Sequence, residues 1–221
     1  METKRIAAER AVEYVGDGMV VGLGTGSTAY WAIQKLGARV KEGLRVKAIA
    51  TSIESEALAR ELGIPILSFA DLAGEIDLTI DGADEVDADN HLIKGGGGAL
   101  LREKIVAKAS RELIVIVDQS KLVDRLGDFP LPVEIVPFGC EMTLRHVSEL
   151  GCKPVLRTRG DEPFRTDNGN YIADCAFGAI HDPGLLETRL NGIPGVVENG
   201  LFVGMSSKVI VGCGNGDVVE R

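Results

Sequence analysis

Four short segments of this chain collect residues whose types and spacing suit acid–base chemistry on an anionic ligand. The first is Gly22-Leu23-Gly24-Thr25-Gly26-Ser27-Thr28, a glycine-rich turn between the apolar run Met19-Val20-Val21 and a helical stretch. Such a turn can aim backbone N–H groups and a helix N-terminus at an anion, with Ser27 and Thr28 adding hydroxyls. It lacks the Gly-Lys-Ser/Thr of a Walker loop. It also departs from the dinucleotide fingerprint, with Ser27 at the third glycine and Thr51 where an acidic residue would end the second strand. A purely structural turn and a phosphate cradle both fit, and the alternate glycines followed by Ser-Thr favour the cradle.

The second segment is Asp81-Gly82-Ala83-Asp84-Glu85, directly after the apolar strand Ile76–Ile80. Carboxylates at the carboxyl end of a parallel strand sit where open α/β sheets bind ligands, so Asp81 and Asp84 are the functional candidates. Glu85, Asp87 and Asp89 are expected to be solvated, and the pattern does not match a calcium loop. The third is Lys94-Gly95-Gly96-Gly97-Gly98 leading into the helix Ala99–Lys104. Four glycines carry a large entropic cost. A second anion or oxyanion site explains them better than a linker, with Glu103 on the helix within reach of a ligand held at its start. Arg102, Lys104 and Lys108 read as surface charges. The fourth is Asp118-Gln119-Ser120-Lys121, which brings Lys121 to another strand end. A carboxylate base, lysines that stabilise an oxyanion and a phosphate cradle are what aldose–ketose isomerisation through an enediolate requires.

The elements between these segments must place them. A helix over 3–15 precedes the first strand, a helix over 29–36 follows the glycine turn, and further helices are expected at 53–62 and 98–109. Strands at 46–50, 76–80 and 113–117 are almost continuously apolar, as in a parallel sheet covered on both faces. From Pro130 the order becomes β-α-β-β-α-β, with a turn at Asp167–Asn170 and Asp182-Pro183 opening a helix as N-cap and first-turn proline. The fold class is therefore α/β: a Rossmann-like, mostly parallel sheet with a smaller α+β domain of split-βαβ, ferredoxin-like type. The expected division is 1–129 plus 205–221 for the larger domain and 130–204 for the smaller, with 208–212 and 217–219 rejoining the large sheet.

Composition narrows the functional classes. The 221 residues are 45% apolar and 26% charged, and 28 are glycine. At ~150 residues per domain that length gives about one and a half domains. A net charge of −9 with scattered Lys and Arg argues against nucleic acid and anionic membranes as partners. The longest uncharged run, Gly18–Gln34, is too short and polar to span a bilayer. The first fifteen residues lack the apolar centre of a signal peptide. Four cysteines without C-x-x-C spacing and three histidines indicate reduced thiols in a cytoplasmic protein, with no metal centre. Cys140, Cys152 and Cys175 read as small buried apolar residues.

In family order, Gly24-Thr25-Gly26-Ser27-Thr28, Asp81-Gly82-Ala83-Asp84-Glu85, Lys94 through Lys104 and Ser120-Lys121-Leu122-Val123 resemble the motifs of A-type ribose-5-phosphate isomerase. Phe129-Pro130-Leu131-Pro132-Val133-Glu134 and Gly195-Val196-Val197-Glu198 resemble it too, so the likeness covers about Lys4 to Val219. The departures, Asn90-His91 and the short Cys213–Asp217 turn, touch no candidate position. The resemblance implies interconversion of D-ribose 5-phosphate and D-ribulose 5-phosphate in the pentose phosphate pathway, with no metal or organic cofactor. It implies that Glu103 is the base and that Asp81, Asp84 and Lys94 surround the reacting oxygens. Thr25, Gly26, Ser27 and Thr28 would bind substrate, as would Gly82 and Ala83, Gly95, Gly96 and Gly97, Lys121, and Lys4 near the phosphate. It also implies a homodimer, in some members a tetramer. An amino-sugar phosphate deaminase would share the phosphate loop but not the Lys94–Glu103 unit. A non-catalytic sugar-phosphate sensor would normally carry a basic helix-turn-helix, for which nothing before Gly22 has room or charge.

Overall fold

The computed structural model describes all residues from Met1 to Arg221. In chain order its first half comprises helix α1 (Glu2–Val12), strand β1 (Val20–Leu23), α2 (Ala29–Lys41), β2 (Lys47–Ala50), α3 (Ile53–Glu61), β3 (Ile76–Gly82), β4 (Glu85–Val86), β5 (Leu92–Ile93), α4 (Leu100–Lys108) and β6 (Ser110–Asp118). Then come β7 (Leu131–Ile135), α5 (Cys140–Ser148), β8 (Lys153–Leu156), β9 (Thr158–Arg159), β10 (Glu162–Pro163), β11 (Tyr171–Ala176), α6 (Pro183–Asn191), β12 (Val196–Asn199), β13 (Leu201–Phe202), β14 (Lys208–Gly212) and β15 (Val218–Glu220).

The chain forms two compact units. The first comprises 1–83, 102–121 and 205–221. Its six-stranded sheet has the order β15-β14-β6-β3-β1-β2, parallel except for the last strand of the chain. Val21, Leu23, Ile80, Ile114, Ile116 and Ile210 from the strands share one buried cluster with Ala7, Ala8 and Ala11 of α1 and Ile33 and Leu36 of α2. Strands buried in this way have no polar face, which is why they read as unbroken apolar runs. Helix α2 continues five residues beyond the expected end at 36, through Gly37. A Cβ at Gly37 would come within 2.8 Å of Leu62, so the glycine serves close helix packing and not termination.

The second unit comprises 84–101 and 122–204, taking in 84–101 and 122–129 besides the stretch expected from Pro130 onward. Its four-stranded antiparallel sheet has the order β12-β7-β11-β8, and β7-α5-β8-β11-α6-β12 along the chain gives the split-βαβ arrangement. Leu131, Val133, Ile135, Ala173 and Cys175 of the sheet are buried with Val147 of α5 and Leu190 of α6. Asp182 caps α6 as expected, its carboxylate accepting from the Leu185 amide at 2.9 Å with Pro183 in the first turn. A three-stranded sheet, β13-β5-β4, and the two-stranded β9-β10 sheet are not announced by the sequence pattern, because their strands are two residues long.

The three-stranded sheet corrects two expectations. Glu85 is not solvated: it is 3% exposed, and its carboxylate accepts from the backbone amides of Gly127 and Phe129. Asp87 is also buried and accepts from the amides of Asp89 and His91, so it closes a tight turn. Asp89 is exposed, as read. Lys104 is likewise buried and not a surface charge. Cys140 and Cys175 are buried, Cys152 is half-buried, and all four cysteines are free thiols.

Candidate active site

The parallel sheet of the first unit changes direction between β1 and β3: from β1 the chain moves outward to β2, and from β3 it moves the other way to β6. Open α/β sheets bind ligands at the carboxyl ends of the strands flanking such a point. Here those ends carry the glycine turn and Asp81.

Strand β3 runs two residues beyond the expected Ile80, so Asp81 belongs to the strand and its side chain is 1% exposed. Its Oδ1 accepts from the amides of Thr25 (3.1 Å) and Gly82 (2.8 Å). The carboxylate thereby fixes the glycine turn from beneath. Gly24 permits this approach, since a Cβ there would stand 2.1 Å from Asp81 Oδ1. A second layer supports the turn from the other side. Thr25 Oγ1 lies 2.7 Å from Thr51 Oγ1, Thr51 donates to the Leu23 carbonyl, and Ser55 Oγ donates to the Gly24 carbonyl at 2.7 Å. Thr51 and Ser55 are missed when the turn is read alone. The available signal is that polar Thr51 and Ser52 directly follow the apolar strand, with Ser52 capping α3.

Gly26, with a positive φ of 97°, turns the chain into α2, and Gly26 and Ser27 are exposed at its start. Lys4 Nζ donates to Ser27 Oγ at 3.0 Å. Asp118, ending β6, accepts from the amide and hydroxyl of Ser120. Burial pushes the Asp118 carboxyl up, but the Ser120 bonds and the charges of Lys4 and Lys121 outweigh it and leave it below the usual carboxylate range. Lys4, Lys121, Ser27 and Asp118 thus form one polar neighbourhood at this sheet edge. Glu103 lies in the first turn of α4, because the helix starts at Leu100 and not at Gly98, and it is 5% exposed.

The second unit holds the remaining candidates. Asp84 Oδ2 accepts from the Gly96 amide at 2.7 Å, and a Cβ on Gly96 would approach Asp84 Oδ1 to 2.6 Å. Lys94 is 3% exposed, with its backbone amide on the Gly200 carbonyl and its ammonium 5.5 Å from the centre of the Phe202 ring. Gly95 and Gly98 have φ of 107° and 84°, and the Gly98 amide donates to the Gly95 carbonyl at 2.9 Å, so the segment is a defined turn. Of the histidines, His91 accepts from the Gly204 amide and His181 pairs with Arg125.

Sheet order and the loop–carboxylate pair define an open α/β protein whose candidate ligand site lies at the carboxyl ends of β1 and β3. The comparisons with known proteins make the class specific. The family described as ribose 5-phosphate isomerase A (phosphoriboisomerase A) matches residues 47–216. A ribose-5-phosphate isomerase A of Bacillus mycoides is 55% identical over 217 residues, covering 98% of each chain. That of Methanothermobacter thermautotrophicus is 51% identical, covering 100% of this chain and 98% of its own. Among solved structures, a D-ribose-5-phosphate isomerase in complex with phospho-erythronic acid superposes with a TM-score of 0.94 at 43% identity, covering 99% of this chain and 97% of that one. The Plasmodium falciparum ribose 5-phosphate isomerase gives 0.95 at 41%, with the same coverage. The chain belongs to the ribose 5-phosphate isomerase A family.

Proposed function

We propose that this protein interconverts D-ribose 5-phosphate and D-ribulose 5-phosphate, with Glu103 as the base. Family membership over nearly the whole chain supports the reaction. The observation in the molecule that carries it is the withdrawal of Glu103 from water at the first turn of α4, directly after the Lys94–Gly98 turn in sequence. In the open-chain aldose, the Glu103 carboxylate takes the proton from carbon 2, and the electron pair forms the carbon 1–carbon 2 double bond of a cis-enediolate. The same carboxyl returns the proton to carbon 1. The hydroxyl proton of carbon 2 passes to oxygen 1, and oxygen 2 becomes the ketone oxygen. Asp81, Asp84 and Lys94 assist ring opening and stabilise charge on oxygens 1 and 2.

Substrate contacts fall to Thr25, Gly26, Ser27 and Thr28, to Gly82 and Ala83, and to Gly95, Gly96 and Gly97. Lys121 and Lys4 supply positive charge for the phosphate, and the bond from Lys4 Nζ to Ser27 Oγ at the glycine turn supports that placement for Lys4. No group of three or more His, Cys, Asp or Glu side chains in the fold could hold a metal ion, and no helix is long and apolar enough to cross a membrane. The expected setting is cytoplasmic and the expected assembly a homodimer.

The test is ribulose 5-phosphate formation from ribose 5-phosphate by protein stripped with EDTA. Rapid conversion is expected. Folded protein that fails to convert the sugar overturns the reading, and conversion that returns only with added metal overturns its metal-free form.

A further inference from the structure

The glycine turn after Lys94 does not hold its shape alone. Arg157, between β8 and β9, reaches it from within the same unit. Its guanidinium, 15% exposed, binds the carboxylate of Asp174 on β11 through Nε and Nη2. Its Nη1 donates to two successive carbonyls of the turn, Gly95 and Gly96, each at 3.0 Å. The Arg157 backbone is fixed as well: its amide donates to Ile172 and its carbonyl accepts from Phe164. The Phe164 ring lies 5.7 Å from the guanidinium and also closes on Gly98, where a Cβ would come within 2.5 Å of ring atoms.

The consequence follows from the planarity of trans peptides, in which C=O and N–H point in opposite directions. When the Gly95 carbonyl is drawn to Arg157, the N–H of Gly96 must face away from it, and that is the N–H that donates to Asp84. When the Gly96 carbonyl is drawn the same way, the N–H of Gly97, an exposed residue, also leaves on the side away from the guanidinium. Glycine has no side chain to limit its backbone, so without the two anchored carbonyls these peptides could rotate. Asp174 keeps the guanidinium from rotating in its turn. The fork geometry is specific to arginine, because a lysine offers a point charge and cannot bind a carboxylate side-on while donating to two carbonyls.

We propose that Arg157 is a positioning residue for the isomerisation, acting through the peptides of Gly95 and Gly96 to aim Asp84 and the Gly97 amide. This rests on the reading of Asp84 and the Lys94 turn as reaction machinery. A misplacement on the order of 1 Å can lower turnover by about 100-fold.

The experiment compares kcat and KM for ribose 5-phosphate, per folded enzyme, in wild type, Arg157→Lys, Arg157→Ala, Asp84→Asn and the double variant Asp84→Asn/Arg157→Lys. Arg159→Ala is the control, because Arg159 stacks on the same Phe164 ring at 5.2 Å but donates to neither glycine carbonyl. The proposal expects Arg157→Lys to lower kcat by roughly 10- to 100-fold with KM within about threefold, and Arg159→Ala to stay within about twofold. In the Asp84→Asn background, Arg157→Lys should cost clearly less than in wild type, since the part of its effect that passes through Asp84 is already lost. An unchanged kcat in either Arg157 variant overturns the proposal, as does a fully additive double variant. If Asp84→Asn keeps the wild-type rate, the reading of the turn as machinery fails instead, and that result is separate from the Arg157 singles.

Discussion

Thr28 occupies the N-cap of α2, yet its side chain makes no capping bond, so its hydroxyl is available to a ligand at the helix start. The Thr25 hydroxyl, three residues earlier, is already hydrogen-bonded to Thr51 Oγ1 at 2.7 Å, so Thr25 braces the turn as well as standing at the candidate site. The two threonines therefore serve differently, although in sequence they look equivalent. Thr28→Ala should leave the melting temperature nearly unchanged and raise KM for ribose 5-phosphate by on the order of tenfold, the value of one hydrogen bond to a charged oxygen. Michaelis–Menten kinetics with a thermal melt check this, and an unchanged KM removes Thr28 from the binding loop. The same scale shows why Arg157, Thr51 and Ser55 escape a reading of motifs. Each acts on a glycine carbonyl or a neighbouring hydroxyl, and the partner lies from 26 to 62 positions away in sequence. Nothing local to Arg157 distinguishes it from Arg159 or Arg165.

At the scale of elements, the strands of the large sheet were legible because burial on both faces leaves apolar runs with no other interpretation. Their ends were less so: β3 extends through Asp81 because the carboxylate is satisfied by two amides inside the fold, which no propensity records. The two-residue strands of the β13-β5-β4 sheet fall below any periodicity, and without them Glu85 and Asp87 read as solvated although both are buried. The last strand is tied to the first helix by charge. Glu220 on β15 accepts from Tyr14 (2.6 Å), Arg10 (2.7 Å) and Lys208 (3.0 Å). The Tyr14 hydroxyl, then Arg10 and Lys208, hold its carboxyl down at about 2, against an ordinary 4.5. A carboxyl lowered on folding stabilises the native state when ionised, so its contribution is complete above 4.5 and is lost as pH falls through 2. Glu220→Gln should therefore melt below wild type at neutral pH, and the gap should narrow as pH is lowered from 4.5 toward 2. A gap constant across that range contradicts the account.

For the whole molecule, the architecture of both units and the family could be read before any coordinates, because four motifs in order also fix the order of the strands that carry them. The division of the chain could not be read as well. Residues 84–101 and 122–129 join the second unit through the pairing of β5 with β13 and through Glu85, contacts that are distant in sequence. The chemistry assigned to the molecule converges on a single side chain, Glu103. The most direct measurement is the turnover of ribose 5-phosphate by Glu103→Gln beside wild type, with circular dichroism and substrate affinity recorded on the same samples. The account predicts a folded variant that binds the sugar phosphate and has lost a factor of roughly 100 to 10,000 in kcat, the contribution typical of a general base. A folded variant that turns over at a near-normal rate would contradict it.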